Sequence, residues 1–140
     1  MIKKIIGVFV LFLLFVGCGK DEGRYIPNVL VNYRMSEAEF SIKAKNQIFL
    51  LPEGLGYGVA GLLIYKVSPG NYITYDRCSS VNPEKRCQVV PDDNSITVTD
   101  PCSGAKFLLL DGSPQKAPAV RYLKVYRTSV GSDGMINVSN

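Results

Sequence analysis

Cys78-Ser79-Ser80, then Cys87, then Asp100-Pro101-Cys102-Ser103-Gly104-Ala105-Lys106-Phe107, then Gly112, Ala117-Pro118-Ala119 and Leu123 punctuate the segment from Tyr75 to Tyr126. Between these landmarks lie short runs, Ile96-Thr97-Val98-Thr99 and Lys106 to Leu110, separated by turn formers such as Asp92-Asp93-Asn94-Ser95. Alternation with a period of two places one side of a strand on a core and the other in water. The same texture extends outward in both directions. Val59 to Tyr65 is a near-continuous apolar run, and Asn71 to Tyr75 follows it after the Pro69-Gly70 turn. With Ile96 to Thr99 these two predict a meander. Val29 to Tyr33 and Gln47 to Leu51 read as the first strands, and Tyr122 to Thr128 and Met135 to Val138 as the last, joined by a turn at Gly131 to Gly134. Glu37 to Lys45 fits either an alternating strand or one helical turn. The expected fold class is all-β, with about eight strands in one domain.

Composition removes several chemistries. The chain has 140 residues, four of them Cys, and contains no His and no Trp. Without imidazole it cannot by itself build a Ser-His-Asp or Cys-His pair, or a His-ligated zinc or iron site.

The amino-terminal residues 1–17 read as an export signal. Lys3 and Lys4 precede thirteen consecutive apolar or glycine positions, Ile5 to Gly17, which end at Cys18. At ~1.5 Å per residue these span roughly 20 Å, short of the ~30 Å hydrocarbon layer that a permanent helix must cross. Phe15-Val16-Gly17-Cys18 resembles a bacterial lipobox, with Phe15 in place of the usual Leu; the alternative is an ordinary secretory signal. The resemblance implies lipidation of Cys18, residues 18–24 as a lipidated tether and anchorage to the membrane through acyl chains. Gly19-Lys20-Asp21-Glu22-Gly23 looks like the charged tag of Bacteroidetes-type surface lipoproteins; a solvated tether with no address explains it equally. Loss of Lys3 and Lys4 with the signal lowers the formal charge from +4 to about +2. The longest basic cluster, Lys85-Arg86, is too short for a nucleic-acid footprint, so no nucleic-acid partner is expected.

Three further motifs carry weaker chemistry. Gly54-Leu55-Gly56-Tyr57-Gly58 has glycines suited to a phosphate loop, but no helix and no Lys-Ser/Thr pair follows, so a turn with positive φ is expected. Asp92-Asp93 could pair carboxylates for acid-base work or calcium, yet between two strands Asp92 to Ser95 reads as a polar hairpin turn. Asn137-Val138-Ser139 matches a glycosylation sequon and carries little weight near the end of a bacterial-looking chain.

The ordered landmarks between Cys78 and Leu123 resemble the cluster-binding half of a Rieske iron-sulfur domain, over about fifty residues. Such domains present Cys-x-His on one loop and Cys-Pro-x-His-Gly on another, followed by an aromatic residue, a Gly and a shielding Gly-Pro-Ala loop. Phe107, Gly112 and Ala117-Pro118-Ala119 fix the register here. In it Cys78 and Asp100 stand at the thiolate positions and Ser80 and Ser103 at the imidazole positions. One ligand of four survives, while Ala105 and Ala117 replace a supporting serine and glycine. Hydroxyls are poor substitutes for imidazole, and an all-cysteine cluster needs four thiolates when acylation of Cys18 leaves three. Lys3-Lys4 is not a twin-arginine signal, so the chain is expected to cross the membrane unfolded, before iron and sulfide could be installed.

Some Rieske domains bridge their two cluster loops with a second cysteine pair, and the resemblance implies a disulfide between Cys87 and Cys102. Over that fifteen-residue separation a bridge stabilises by about 3 kcal/mol. Cys78 is then an inert buried thiol, a partner of Cys87 or Cys102 in another pairing, or a reactive thiol with Arg77 beside it. Tyr25 to Tyr33 and Gly56 to Val59 also look like features of Bacteroidetes Rieske-like lipoproteins, which extends the likeness across residues 25–140, with the cluster-binding-type subdomain at about 75–126. It implies a sandwich of small antiparallel sheets with two cluster-type loops at a tip.

Two functions follow as expectations. One is a lipid-anchored envelope protein whose Rieske-like domain has lost its [2Fe-2S] ligands, has neither metal nor catalytic residues, and acts as a binding or accessory module with an envelope protein at the tip loops. The other is an electron-transfer component that holds [2Fe-2S] through unusual or partner-donated ligands. Thiol-disulfide chemistry at Cys78 is a third, weaker expectation. The expected location is the bacterial cell envelope, as an outer membrane lipoprotein on its periplasmic or surface face.

Overall fold

A computed structural model of the chain describes residues 26–140, so the signal sequence, Cys18, the charged tag and Tyr25 lie outside the described residues. The domain opens with β1 (Asn32–Ser36), which runs directly into helix α1 (Glu37–Lys43). Ser36 caps the helix by accepting a hydrogen bond from the Glu39 N–H, Glu37 and Glu39 occupy its positive end, and Lys43 closes its negative end. These signals decide the ambiguity at 37–45 in favour of a helix, with Phe40 as its buried residue. The first strand begins later than expected. Val29 to Val31 pairs with no strand among the described residues and is held by the Asn140 side chain, which accepts from the Val31 N–H and donates to the Val29 carbonyl.

Next come β2 (Ile48–Leu51), β3 (Leu62–Ser68) and β4 (Asn71–Asp76), with Gly70 in the turn between β3 and β4. After a 3-10 turn at Pro83–Lys85 the chain forms β5 (Val90–Pro91), β6 (Thr97–Thr99), β7 (Lys106–Leu108) and β8 (Pro114–Lys116), then β9 (Val125–Val130) and β10 (Met135–Ser139). All pairings are antiparallel. One sheet has the order β1-β10-β9-β4-β3-β2, and a smaller one the order β5-β6-β7-β8. The expected meander of 59–65, 71–75 and 96–99 is therefore corrected. β6 belongs to the smaller sheet, and the free side of β4 pairs with β9 through Thr74 with Tyr126 and Tyr75 with Val125.

The apolar run of β3 is explained by burial on both sides. Leu62 and Ile64 pack with Phe40, Tyr72, Tyr126 and Ile136, whereas Leu63 packs with Tyr75, Val98, Phe107 and Leu123 in a second core between the sheets. Tyr75 locks this second core by donating its hydroxyl to the Leu109 carbonyl at 2.9 Å. Gly112 is required beneath it: its φ is +77°, and a Cβ there would lie 2.9 Å from the Tyr75 ring. This packing sets the smaller sheet on the larger one and carries the loops at 77–89, 100–105 and 117–121 to one end.

Candidate functional site

The first loop leaves β4 in extended form, pairs Cys78 with Gln88, turns through Pro83–Lys85 and returns with Arg86 in the left-handed region. The second loop joins β6 to β7 and is closed by Asp100 N–H donating to the Ala105 carbonyl and Gly104 N–H donating to the Asp100 carbonyl, both at 2.8 Å. Cys87 of the first loop is bonded to Cys102 of the second, with Cα atoms 6.3 Å apart. The third loop contains a cis Ala117-Pro118 peptide. Ser80 ties the first loop to it by donating to the Arg121 carbonyl at 2.8 Å. Ser80, Val81, Asn82, Ser103, Pro118, Val120 and Arg121 line a cleft of about 340 Å³ where the three loops meet.

The polar atoms of Cys78, Ser80, Asp100 and Ser103, the four residues that the resemblance puts at ligand positions, are engaged within the chain. Asp100, only 2% exposed, accepts through Oδ2 from the hydroxyls of Ser79 and Ser103, both at 2.7 Å, and through Oδ1 from the Cys102 N–H at 2.8 Å. The Ser103 hydroxyl in turn accepts from the Ala105 N–H. Cys78 points elsewhere. It is fully buried with Ile26, Val59 and Ala60, and its thiol lies 3.5 Å from the Pro83 carbonyl and 3.7 Å from that of Ser79. Burial, then the nearby Asp76 carboxylate, pushes the Cys78 thiol up to about 12. The opposing cation is Arg86, not the Arg77 expected from the sequence. Among the described residues Cys78 is the free thiol, and its alternative pairings with Cys87 or Cys102 are not adopted.

These residues do not fit a Rieske centre. Such a centre takes two thiolates on one iron and two imidazoles on the other. The chain has no His, and two of the three cysteines among the described residues are bonded to each other. Among those residues the group of metal-ligating side chains that converges is Cys87, Asp100 and Cys102, which does not include Cys78.

Asp76, Lys124 and Arg77, all buried, carry the polar structure beneath the loops, and no local pattern in the sequence marks them. Asp76 Oδ2 accepts from the Val59 N–H at 2.6 Å and the Tyr126 hydroxyl at 2.7 Å, and Oδ1 from the Cys78 N–H at 2.8 Å and the Ala60 N–H at 3.1 Å. Gly54, Gly56 and Gly58 all have positive φ, as expected for a turn. The amides that follow the last of them bind an anion after all, the Asp76 carboxylate. Lys124 donates to the Pro27 carbonyl at 2.7 Å and to Asn28 Oδ1 at 2.6 Å, so it fastens the start of the described chain. Burial lowers its pKa, with Asp76 opposing. Arg77 is 8% exposed, its Nε has no hydrogen-bond partner among the described residues, and burial lowers its pKa.

Asp92 to Ser95 forms the expected hairpin turn between β5 and β6. Asp92 accepts from Thr97, Thr99 and Lys106 at 2.5, 2.6 and 2.7 Å, which makes it structural rather than one half of an acid-base pair. Among the described residues no helix is long and apolar enough to cross a membrane.

No protein-family model matches the chain, and no curated protein matches its sequence. Solved structures do match its shape. The plasma-membrane Rieske protein of the cyanobacterium Synechocystis PCC 6803 superposes with a TM-score of 0.56 at 23% identity, over 81% of this chain and 100% of that one. The ferredoxin of carbazole 1,9a-dioxygenase from Nocardioides aromaticivorans IC177 gives 0.51 at 14% identity, over 77% and 96%. A chain from the complex of reduced oxygenase and oxidised ferredoxin in carbazole 1,9a-dioxygenase gives 0.53 at 17% identity, over 78% and 93%. Residues 26–140 thus have the Rieske fold, with the loops at 77–89 and 100–105 clamped by the Cys87–Cys102 disulfide.

Proposed function

We propose that this chain is a lipid-anchored protein of the bacterial envelope whose Rieske-fold domain has exchanged its iron-sulfur centre for a hydrogen-bonded polar plug and works as a binding or accessory module. The observation that carries this reading is Asp100. Where the second thiolate would stand, a buried carboxylate accepts from two hydroxyls and one backbone N–H, a set of bonds that stabilises the loops without metal. The disulfide supports it too, since outside the cytosol such bridges persist and clamp the loops covalently. With the ligands gone, the useful feature of the tip is its surface. The cleft between the loops is rimmed by Val120, 83% exposed, with Tyr122, 58% exposed, two residues on, and we assign this rim to contact with another envelope protein.

Anaerobic reconstitution with ferrous iron and sulfide tests the lost centre: the account expects no visible absorption and no low-temperature EPR signal after reduction, and a stable chromophore would overturn it. The anchor is tested separately by labelled palmitate. Incorporation that disappears in Cys18→Ser, together with release of the protein from the membrane fraction, is expected; labelling that persists would contradict it. An electron-transfer role with partner-donated ligands predicts a chromophore only in a complex isolated with its partner.

A further inference from the structure

The disulfide hides a set of metal donors. The sulfurs of Cys87 and Cys102 and a carboxylate oxygen of Asp100 all lie within 4.8 Å of one another. A carboxylate offers about four lone-pair sites, and three are taken by Ser79, Ser103 and the Cys102 N–H, which leaves one. The two hydroxyls also fix the orientation of the carboxylate, as outer partners of a metal ligand do. Cys102 is exposed and Cys87 partly so, which makes the bridge reachable by a reductant. Cys78 is separate: it is fully buried, with its thiol directed at backbone carbonyls.

We propose that reduction of the Cys87–Cys102 bridge opens a site for one thiophilic divalent cation of the zinc class, held by both sulfurs and Asp100, with a fourth, water-accessible position. In the first step a dithiol gives two electrons and two protons to the S–S bond, becomes a disulfide itself and leaves two thiols on this chain. In the second step the cation binds and the two thiol protons pass to solvent. At a Zn–S distance of ~2.3 Å, two tetrahedral sulfur ligands stand roughly 3.8 Å apart, which bonded sulfurs cannot do. A small-molecule disulfide, taking two electrons from the two thiolates and two protons from solvent to become a dithiol, re-forms the bridge and so expels the metal, and occupancy reports the dithiol-disulfide balance around the tip. The inference rests on the cluster-free reading in one respect, that Asp100 is not already bound to iron.

The test is a Co²⁺ titration of the full mature chain, oxidised or reduced with a water-soluble phosphine, followed by competition with Zn²⁺. Expected for the reduced protein is one equivalent of Co²⁺ with thiolate-to-cobalt charge transfer and tetrahedral d–d bands, displaced by Zn²⁺, with none for the oxidised protein. Cys102→Ser abolishes the signal and Cys78→Ser leaves it unchanged. Asp100→Asn weakens binding by about 10- to 100-fold while keeping the charge-transfer band. Near-ultraviolet circular dichroism of the tyrosines shows whether the reduced domain stays folded. Refolding by Zn²⁺ supports the site as directly as binding to a folded one. Reduced protein that binds no more Co²⁺ than oxidised protein, or binding lost in Cys78→Ser and kept in Cys102→Ser, overturns the proposal. Iron and sulfide in the starting protein would instead contradict the cluster-free reading, and the cobalt result stays separable from it.

Discussion

Replacing Asp76 by Asn and, separately, Asp100 by Asn makes one chemical change at two buried carboxylates, and the structure assigns the two very different costs. At Asp76 three of the four donors are backbone N–H groups, those of Val59, Ala60 and Cys78, which cannot turn around. An amide keeps one accepting end and gains one donating end, so in either orientation its NH₂ faces at least one fixed N–H. One orphaned buried donor costs about 1–3 kcal/mol, and weakening of the charge-assisted bonds brings the total to about 4 kcal/mol. At Asp100 the oxygen shared by Ser79 and Ser103 faces hydroxyls, which can rotate to accept from an NH₂ while Oδ1 keeps the Cys102 N–H. The cost there is about 1–2 kcal/mol. Urea unfolding followed by far-ultraviolet circular dichroism, with the bridge oxidised, measures both. For an m-value of about 1.5 kcal/mol per M, Asp76→Asn lowers the midpoint by about 2 to 3 M and Asp100→Asn by about 1 M. Equal losses, or a larger loss at Asp100, would refute the reasoning from fixed and rotatable donors.

Cys78 is expected to resist iodoacetamide in the native protein at neutral pH and to react only on unfolding, because it is fully buried and its thiol is raised to about 12; rapid native labelling would contradict this. Cys87→Ser paired with Cys102→Ser should cost about 3 kcal/mol by the same urea assay, the value of closing a loop of this length. Burial works against the Asp92 carboxylate, but hydrogen bonds from Lys106, Thr97 and Thr99 hold its pKa below the usual value. A depressed folded-state pKa contributes stability above the unfolded value of ~3.9 that is lost as pH falls through the folded one. Asp92→Asn should therefore flatten the acid limb of a pH-stability curve, and an unchanged limb would count against it. Lys124→Met should free the segment at Pro27 and Asn28, read as faster proteolysis near residue 27 with the rest of the domain intact.

Elements set by local chemistry were legible in the sequence. β3 declared itself by an apolar run too continuous for a strand with one wet side, and Pro69-Gly70 and Gly131 to Gly134 marked their hairpins. β5 and β8 gave no signal, since they have two and three residues and each contains a proline. β6 was visible as a strand but assigned to the wrong sheet, because alternation at Thr97–Thr99 says which side is buried and not against what. At the site, the spacing from Cys78 through Phe107 to Pro118 marked out the loops at 77–89, 100–105 and 117–121 and the pair Cys87 and Cys102 that the disulfide joins. It could not show that Asp100 would be satisfied by Ser79 and Ser103, or that the Cys78 thiol would face the Pro83 and Ser79 carbonyls. Asp76 and Lys124 stayed hidden for the same reason, since Asp76 reaches Val59 and Tyr126, 17 and 50 residues away, and Lys124 reaches Pro27, 97 residues away.

The account stands most directly on iron and acid-labile sulfide content, measured with a visible spectrum on the mature protein purified without reductant from its native envelope. It predicts a colourless protein with neither element in stoichiometric amount. Two irons and two sulfides per chain with Rieske-type absorption would contradict it, and would mean that Ser80, Asp100 and Ser103 are ligands or that another chain supplies the imidazoles.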